Sequence, residues 1–184
     1  MAIPQQDIRV TKTHKALVET MMNLLEKKTF QKITVNDICQ GAMVSRSTFY
    51  LHFEDKYQLL LFCLQTEREL LRDTMKGKNP RELVHSALVT VKEHEKAYHN
   101  LFMANIDLEL LRMFQTHFYT AFAGILAENE TQGAELPGPI PMLAVYYANG
   151  LSGLMMWWLE NDFHYSVEEM TICICNLLSE IMPE

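Results

Sequence analysis

The residues between Thr34 and Lys56 have types and spacing suited to recognising a polyanion. The run Ser45-Arg46-Ser47-Thr48-Phe49-Tyr50-Leu51-His52-Phe53 is polar at its start and aromatic at its end. At helical spacing Phe49 and Phe53 share one face and can pin the segment to a core, while Arg46, Ser47 and Tyr50 share the opposite face. Arg46 can pair bidentately with a guanine edge, Ser47 and Thr48 can hydrogen-bond bases, and Tyr50 can donate to a phosphate. Ser45, His52 and Thr34 are further candidates for phosphate positioning. Lys56 joins them, because the first turn of a helix also offers backbone N–H groups to an anion.

Local signals place these side chains on short elements. Thr34-Val35-Asn36-Asp37 sets a hydroxyl at an N-cap and a carboxylate three residues on, a capping box with Asp in the usual Glu place. That predicts a short helix carrying Val35 and Ile38 and ending near Gln40-Gly41. Ser45 caps a second short helix from Arg46 to about His52. Asp55 caps a long helix from Lys56 to about Lys76. Before them, Val10 to Lys27 predicts a helix with Leu17, Met21, Leu24 and Leu25 on one stripe. Two short helices joined by a tight turn form either a helix-turn-helix, whose second helix enters the DNA major groove, or a plain three-helix packing unit. Spacing alone leaves both open.

The rest of the chain also has helical periodicity. Gly77-Lys78-Asn79-Pro80 breaks it, and Pro80 suits the first turn of a helix from about Arg81 to Lys96. A short piece near Tyr98–Met103 follows, then a long helix from Asp107 to about Glu128. Asn129 to Pro141 is a loop with two Gly and three Pro. Met142 to Glu160 is a helix without charge until its last residue, and Ser166-Val167-Glu168-Glu169 is a capping box opening a last helix to about Ile181. The 24 residues from Leu136 to Leu159 hold no charge. Pro137, Pro139 and Pro141 shorten the helix, polar and glycine residues interrupt it, and neither flank carries Lys or Arg, so burial in a core and a subunit interface is expected rather than a membrane span. The fold class is all-α, with about nine helices.

Charge divides the chain more sharply than its total suggests. The chain has 184 residues and a formal net charge of −7. Residues 1–60 hold eight Lys and Arg against six Asp and Glu, a net of +2, and the remaining 124 residues carry a net of −9. A basic front and an acidic back suggest two tasks in one chain. Four cysteines in apolar, helix-like contexts make no disulfide framework. With no apolar stretch behind a basic start, a reduced cytoplasmic setting is expected.

The run Ile33-Thr34-Val35-Asn36-Asp37-Ile38, continued by Ala42-Met43-Val44-Ser45 through Phe53-Glu54-Asp55-Lys56-Tyr57-Gln58-Leu59, resembles the DNA-binding domain of the TetR/AcrR family of transcriptional regulators. The family pattern is matched in one register at Thr34, Ile38, Ala42, Val44, Ser45, Phe49, Tyr50, His52, Phe53, Lys56 and Leu59. Met43 stands where the family usually has glycine, at a turn that favours positive φ, which costs on the order of 1 kcal/mol. Leu51 is apolar where many relatives are polar.

The resemblance implies a TetR-type DNA-binding domain over residues 8–65, with the helix-turn-helix at about 34–53. Residues 66–184 would form a C-terminal regulatory and dimerisation bundle. It implies a homodimer through the last two helices, which would set two recognition helices about 34–36 Å apart on a near-palindromic, double-stranded operator. The uncharged helix permits close approach at Ala144, Ala148, Ser152 and Gly153, and Ile174, Leu177, Leu178 and Ile181 stripe the last one. The resemblance also implies control by a small molecule at the C-terminal domain.

Candidates for an effector site, apolar or aromatic in character, are Phe102, Asn105, Phe114, His117, Phe118, Tyr147, Asn149 and Trp157. Aromatic stripes at helical spacing more commonly build core. No catalytic residue, cofactor or metal is called for. Cys173 and Cys175 fall on opposite sides of a helix, and His94 and His99 do not share a face. Two other function classes remain at this level. One is a co-regulator that binds a protein partner through the acidic body after losing DNA affinity; the other is a helical small-molecule binder or enzyme.

Overall fold

The computed structural model describes residues 5–74, 79–102 and 108–179. Among them every regular element is helical: α1 (Gln5–Leu25), a 3₁₀ turn (Phe30–Lys32), α2 (Val35–Gly41), α3 (Arg46–His52), α4 (Lys56–Thr74), α5 (Pro80–Glu93), α6 (Glu95–Phe102), α7 (Leu108–Thr131), α8 (Ile140–Glu160) and α9 (Val167–Leu178). None of these helices is long and apolar enough to cross a membrane.

The ends of these helices fall where short polar side chains satisfy the unpaired N–H groups of a first turn. Thr34 Oγ1 accepts from the Asp37 N–H at 3.1 Å, and Asp37 Oδ2 accepts from the Thr34 N–H at 2.8 Å. Ser45 Oγ accepts from the Thr48 N–H at 3.0 Å, and Asp55 Oδ1 from the Gln58 N–H at 2.8 Å. Asn79 Oδ1 accepts from the Glu82 N–H at 2.9 Å, with Pro80 in the first turn where its missing N–H is harmless. Ser166 and Glu169 form a second reciprocal box.

The chain divides into two compact units, residues 1–68 with 96–105, and residues 69–95 with 106–184. In the first unit Leu17, Met21 and Leu25 repeat every four residues on α1 and are buried. They share a core with Phe30, Ile33, Ile38, Phe49, Phe53, Leu59, Leu60 and Cys63. Residues 96–105 belong to this unit although the sequence reading places the division at 65/66. Asn100 Nδ2 donates to the Leu25 carbonyl at 2.7 Å, and the Tyr98 hydroxyl donates to Glu67 at 3.3 Å. Ala97 and Leu101 are buried one turn apart on α6.

In the second unit α7 packs on α8 and α5 on α9. Leu88 and Val91 of α5, Leu110, Phe114 and Leu126 of α7, Ala144, Tyr147, Ala148 and Trp158 of α8, and Met170, Ile174 and Leu178 of α9 are buried. Arg81 and Glu168 pair between α5 and α9. The turn after α8 is tight: Asp162 and Phe163 have φ of 48° and 55°. Trp158 Nε1 donates to the Tyr165 carbonyl at 2.8 Å, and Lys92 Nζ lies 3.8 Å from the Phe163 ring centre.

Candidate nucleic-acid interface

The turn between α2 and α3 fixes the direction of α3. Ile38 and Cys39 of α2 are buried, and the Val44 N–H donates to the Cys39 carbonyl at 3.0 Å, closing the turn. Gly41 lets α2 approach α1, since a Cβ there would stand 2.5 Å from Thr20 Cγ2. Met43 takes φ of 54° and is 92% exposed, the left-handed backbone that glycine adopts without steric cost.

Phe49 is fully buried on α3 and Phe53 nearly so just beyond it, with ring centres 5.9 Å apart. That anchors one face and leaves Ser45, Arg46, Ser47, Tyr50 and Leu51 exposed on the others. Ser45 Oγ lies 2.8 Å from both Ser47 Oγ and Thr48 Oγ1, so three hydroxyls converge at the start of the helix. Thr48 is half-buried. The Arg46 guanidinium carbon lies 5.8 Å from the Tyr50 ring centre, a cation–π pair one turn apart.

Thr34 is exposed and its hydroxyl is engaged with Asp37 at 2.7 Å. Asp37 also receives the Lys28 ammonium at 2.7 Å. That bond first, and the Thr34 N–H and hydroxyl after it, hold the Asp37 carboxyl down to about 2. Lys28 carried no local sequence signal, because its partner is nine residues away.

Two expected phosphate ligands have other tasks. Lys56 is turned inward: its ammonium donates to the carbonyls of Phe30, Gln31 and Ile33 at 2.9, 3.2 and 3.0 Å. Its ammonium is thus engaged by three backbone carbonyls in this structure. It ties the start of α4 to the 3₁₀ turn. His52 is half-buried, with its ring edge-on to that of His14 on α1 at 4.9 Å between centres. His14 also touches Phe53 and Phe62, and its Nε2 is buried without a hydrogen-bond partner. Burial, and then the nearby charge of His52, push the His14 pKa below its ordinary value.

The residues expected around an effector fall in both units. Phe102 belongs to the first unit, stacked on Tyr98 at 6.3 Å. Asn105 lies outside the described residues. Phe114, His117 and Tyr147 are buried and Phe118 half-buried on α7 and α8. Phe114 and His117 stand 6.3 and 5.5 Å from Phe118 between ring centres, and Phe122 stacks on Tyr147 at 6.1 Å. Asn149 and Trp157 are exposed on α8. Asn149 accepts from Gln115 at 3.4 Å and donates to the Val145 carbonyl at 2.8 Å. A small apolar crevice in the first unit, lined by Met22, Leu60, Cys63, Tyr98 and Leu101 among others, carried no sequence signal. Burial pushes the Cys63 thiol up to about 12 there.

Comparison with known proteins places this arrangement. Residues 17–62 match the family described as bacterial regulatory proteins, tetR family, and residues 78–180 match the transcriptional regulator C-terminal region that accompanies it. The chain belongs to the TetR family of transcriptional regulators. An uncharacterised HTH-type transcriptional regulator of Bacillus subtilis, YxbF, is 23% identical to this TetR-family chain over 176 residues, 88% of this chain and 43% of that protein. The dhaKLM operon transcriptional activator DhaS of Lactococcus lactis is 24% identical over 104 residues, 56% of each. The chain thus spans about half the length of these curated relatives. In fold, a solved TetR transcriptional regulator from Streptococcus agalactiae superposes with a TM-score of 0.65 at 22% identity, covering 94% of this chain and 97% of that one. DhaS superposes at 0.61 with 18% identity, covering 92% and 96%. At such identity the likeness of these TetR-family structures concerns the fold alone.

Proposed function

We propose that the protein binds a near-palindromic, double-stranded operator as a homodimer and controls transcription there. The reading is carried by the outward polar face of α3, held by buried Phe49 behind a tight turn. In this reading Arg46, Ser47 and Thr48 address base edges, the first by its planar fork and the others by their hydroxyls. Tyr50, Ser45 and Thr34 address phosphates and set the register in this reading. The domain over residues 8–65 carries this contact, with the helix-turn-helix at about 34–53.

The bundle over residues 66–184 pairs two copies through α8 and α9, which expose Met142, Val145, Tyr146, Ile172 and Leu177. A small apolar or aromatic effector acts through the α7–α8 side chains Phe114, His117, Phe118 and Tyr147, which supply apolar walls and one polar ring. Its binding alters the spacing of the two recognition helices and hence operator affinity. The setting is cytoplasmic.

The test is a salt series of binding to duplexes selected from a random library. The proposal expects one preferred duplex, a log–log salt slope of about −4 or steeper, and loss of most affinity in an Arg46→Ala, Tyr50→Ala double variant. Equal, weak binding to all duplexes, indifferent to those changes, overturns it.

A further inference from the structure

We propose that Leu51 reads the C5 methyl group of an operator thymine; this rests on the DNA-binding reading above. Leu51 is 79% exposed on α3, whereas Phe49 two residues earlier is fully buried. One helical turn before Leu51, on the same row, stands the exposed Ser47. The neighbouring row carries Arg46 and Tyr50, also exposed. The outward face of the helix therefore consists of side chains with donors and acceptors, except for one branched aliphatic group.

The fold gives no use for that group. Leu51 fills no part of the core at this exposure, and the caps of α3 are made by Ser45 and by the Phe53 N–H to the Phe49 carbonyl. A lone exposed leucine is ordinary on a protein surface, but this one stands on the face that would enter the groove. Its isobutyl group has neither donor nor acceptor. Among the features that base pairs present in the major groove, the amino, carbonyl and ring-nitrogen groups all require a polar partner, and only the thymine methyl is apolar. Contact between the two removes apolar surface of both from water, and each buried methyl or methylene group is worth on the order of a fourfold change in affinity. The high exposure also means that shortening Leu51 leaves the domain folded, so the residue can be tested cleanly.

The experiment replaces each thymine of the selected operator duplex in turn by deoxyuridine, which removes the methyl and leaves the pairing intact. Affinities are measured for the wild-type protein and for Leu51→Ala, whose unchanged circular dichroism and melting temperature confirm its fold. At one thymine in each half-site, deoxyuridine should weaken wild-type binding about fourfold, and Leu51→Ala should bind both duplexes equally. The inference is overturned if no thymine methyl matters to the wild type, or if Leu51→Ala keeps the same sensitivity. A wild type with no preferred duplex overturns the DNA-binding reading itself, and this inference with it. A steep salt slope with a preferred duplex but no methyl effect overturns this inference alone.

Discussion

Lys56 holds its ammonium 2.9 Å from the carbonyl oxygen of Phe30 and 4.6 Å from the centre of the same residue's ring. It also donates to Gln31 and Ile33, so one cation closes the 3₁₀ turn against the first turn of α4. The aromatic face and the three carbonyls compensate its partial burial. Replacement by Met keeps the aliphatic stem and leaves those carbonyls without the charged donor. Lys56→Met is expected to lower stability by about 2–3 kcal/mol, measured by urea denaturation. The salt slope of DNA binding should stay unchanged in this variant, since a lost phosphate contact would reduce it by about 0.9. A reduced slope with unchanged stability would return Lys56 to the DNA.

Two neighbouring positions of the turn should respond in opposite directions. Met43 has φ of 54° and open solvent around it. Met43→Gly removes the steric cost of the left-handed backbone, and a gain of about 1 kcal/mol is expected. Gly41 is crowded, with Thr20 Cγ2 2.5 Å from where a Cβ would lie. Gly41→Ala pushes α2 from α1 and should cost roughly 1–3 kcal/mol. Denaturation midpoints of the two variants decide both.

Acid should weaken the protein in two separate windows. His14 has its pKa lowered below 6.5 by burial and then by His52. The unfolded chain therefore takes up the proton first, so the stabilising contribution is complete above pH 6.5 and is lost as the pH falls below it. Asp37 is held at about 2 against an ordinary 3.8, so its contribution is complete above pH 3.8 and disappears on the way to pH 2. His14→Phe should flatten the first window and leave the second, and Asp37→Asn the reverse. The readout is the denaturation midpoint against pH. An unaltered first window in His14→Phe would assign it to another histidine.

What was legible in the sequence was what closes within one turn. The caps at Thr34, Ser45, Asp55 and Ser166 each join residues three apart, and Phe49 and Phe53 are four apart, so spacing alone locates them. The strained Met43 was legible too, because it breaks a pattern that names glycine there. The unread features join residues distant in sequence. Lys56 meets Phe30 across 26 residues, Asn100 meets Leu25 across 75, and His14 meets His52 across 38. Residue type alone marks the effector candidates and does not say which face of α8 a side chain takes. Asn149 and Trp157 share the exposed row, and Tyr147 and Trp158 are buried.

That exposed row carries the last prediction. Met142, Val145, Tyr146, Asn149, Gly150, Gly153 and Trp157 follow at three- and four-residue steps along α8, and all are exposed. Such spacing is one face of a helix. It is largely apolar or glycine, which permits a second helix to approach closely, and it has no charge to repel it. On α9, Ile172 and Leu177 are exposed likewise, while Met170, Ile174 and Leu178 face inward. A face used only against solvent tolerates charge, whereas a face that pairs two copies does not. Val145→Glu and Leu177→Glu together should therefore leave the helical signal and the fold of each copy intact and halve the mass seen by light scattering at micromolar concentration. The same variant should bind the full operator no better than a single half-site, because affinity gained by joining two half-sites requires a linked pair of recognition helices. An unchanged mass, or a wild type that is already monomeric, would rule out this face as the dimer contact.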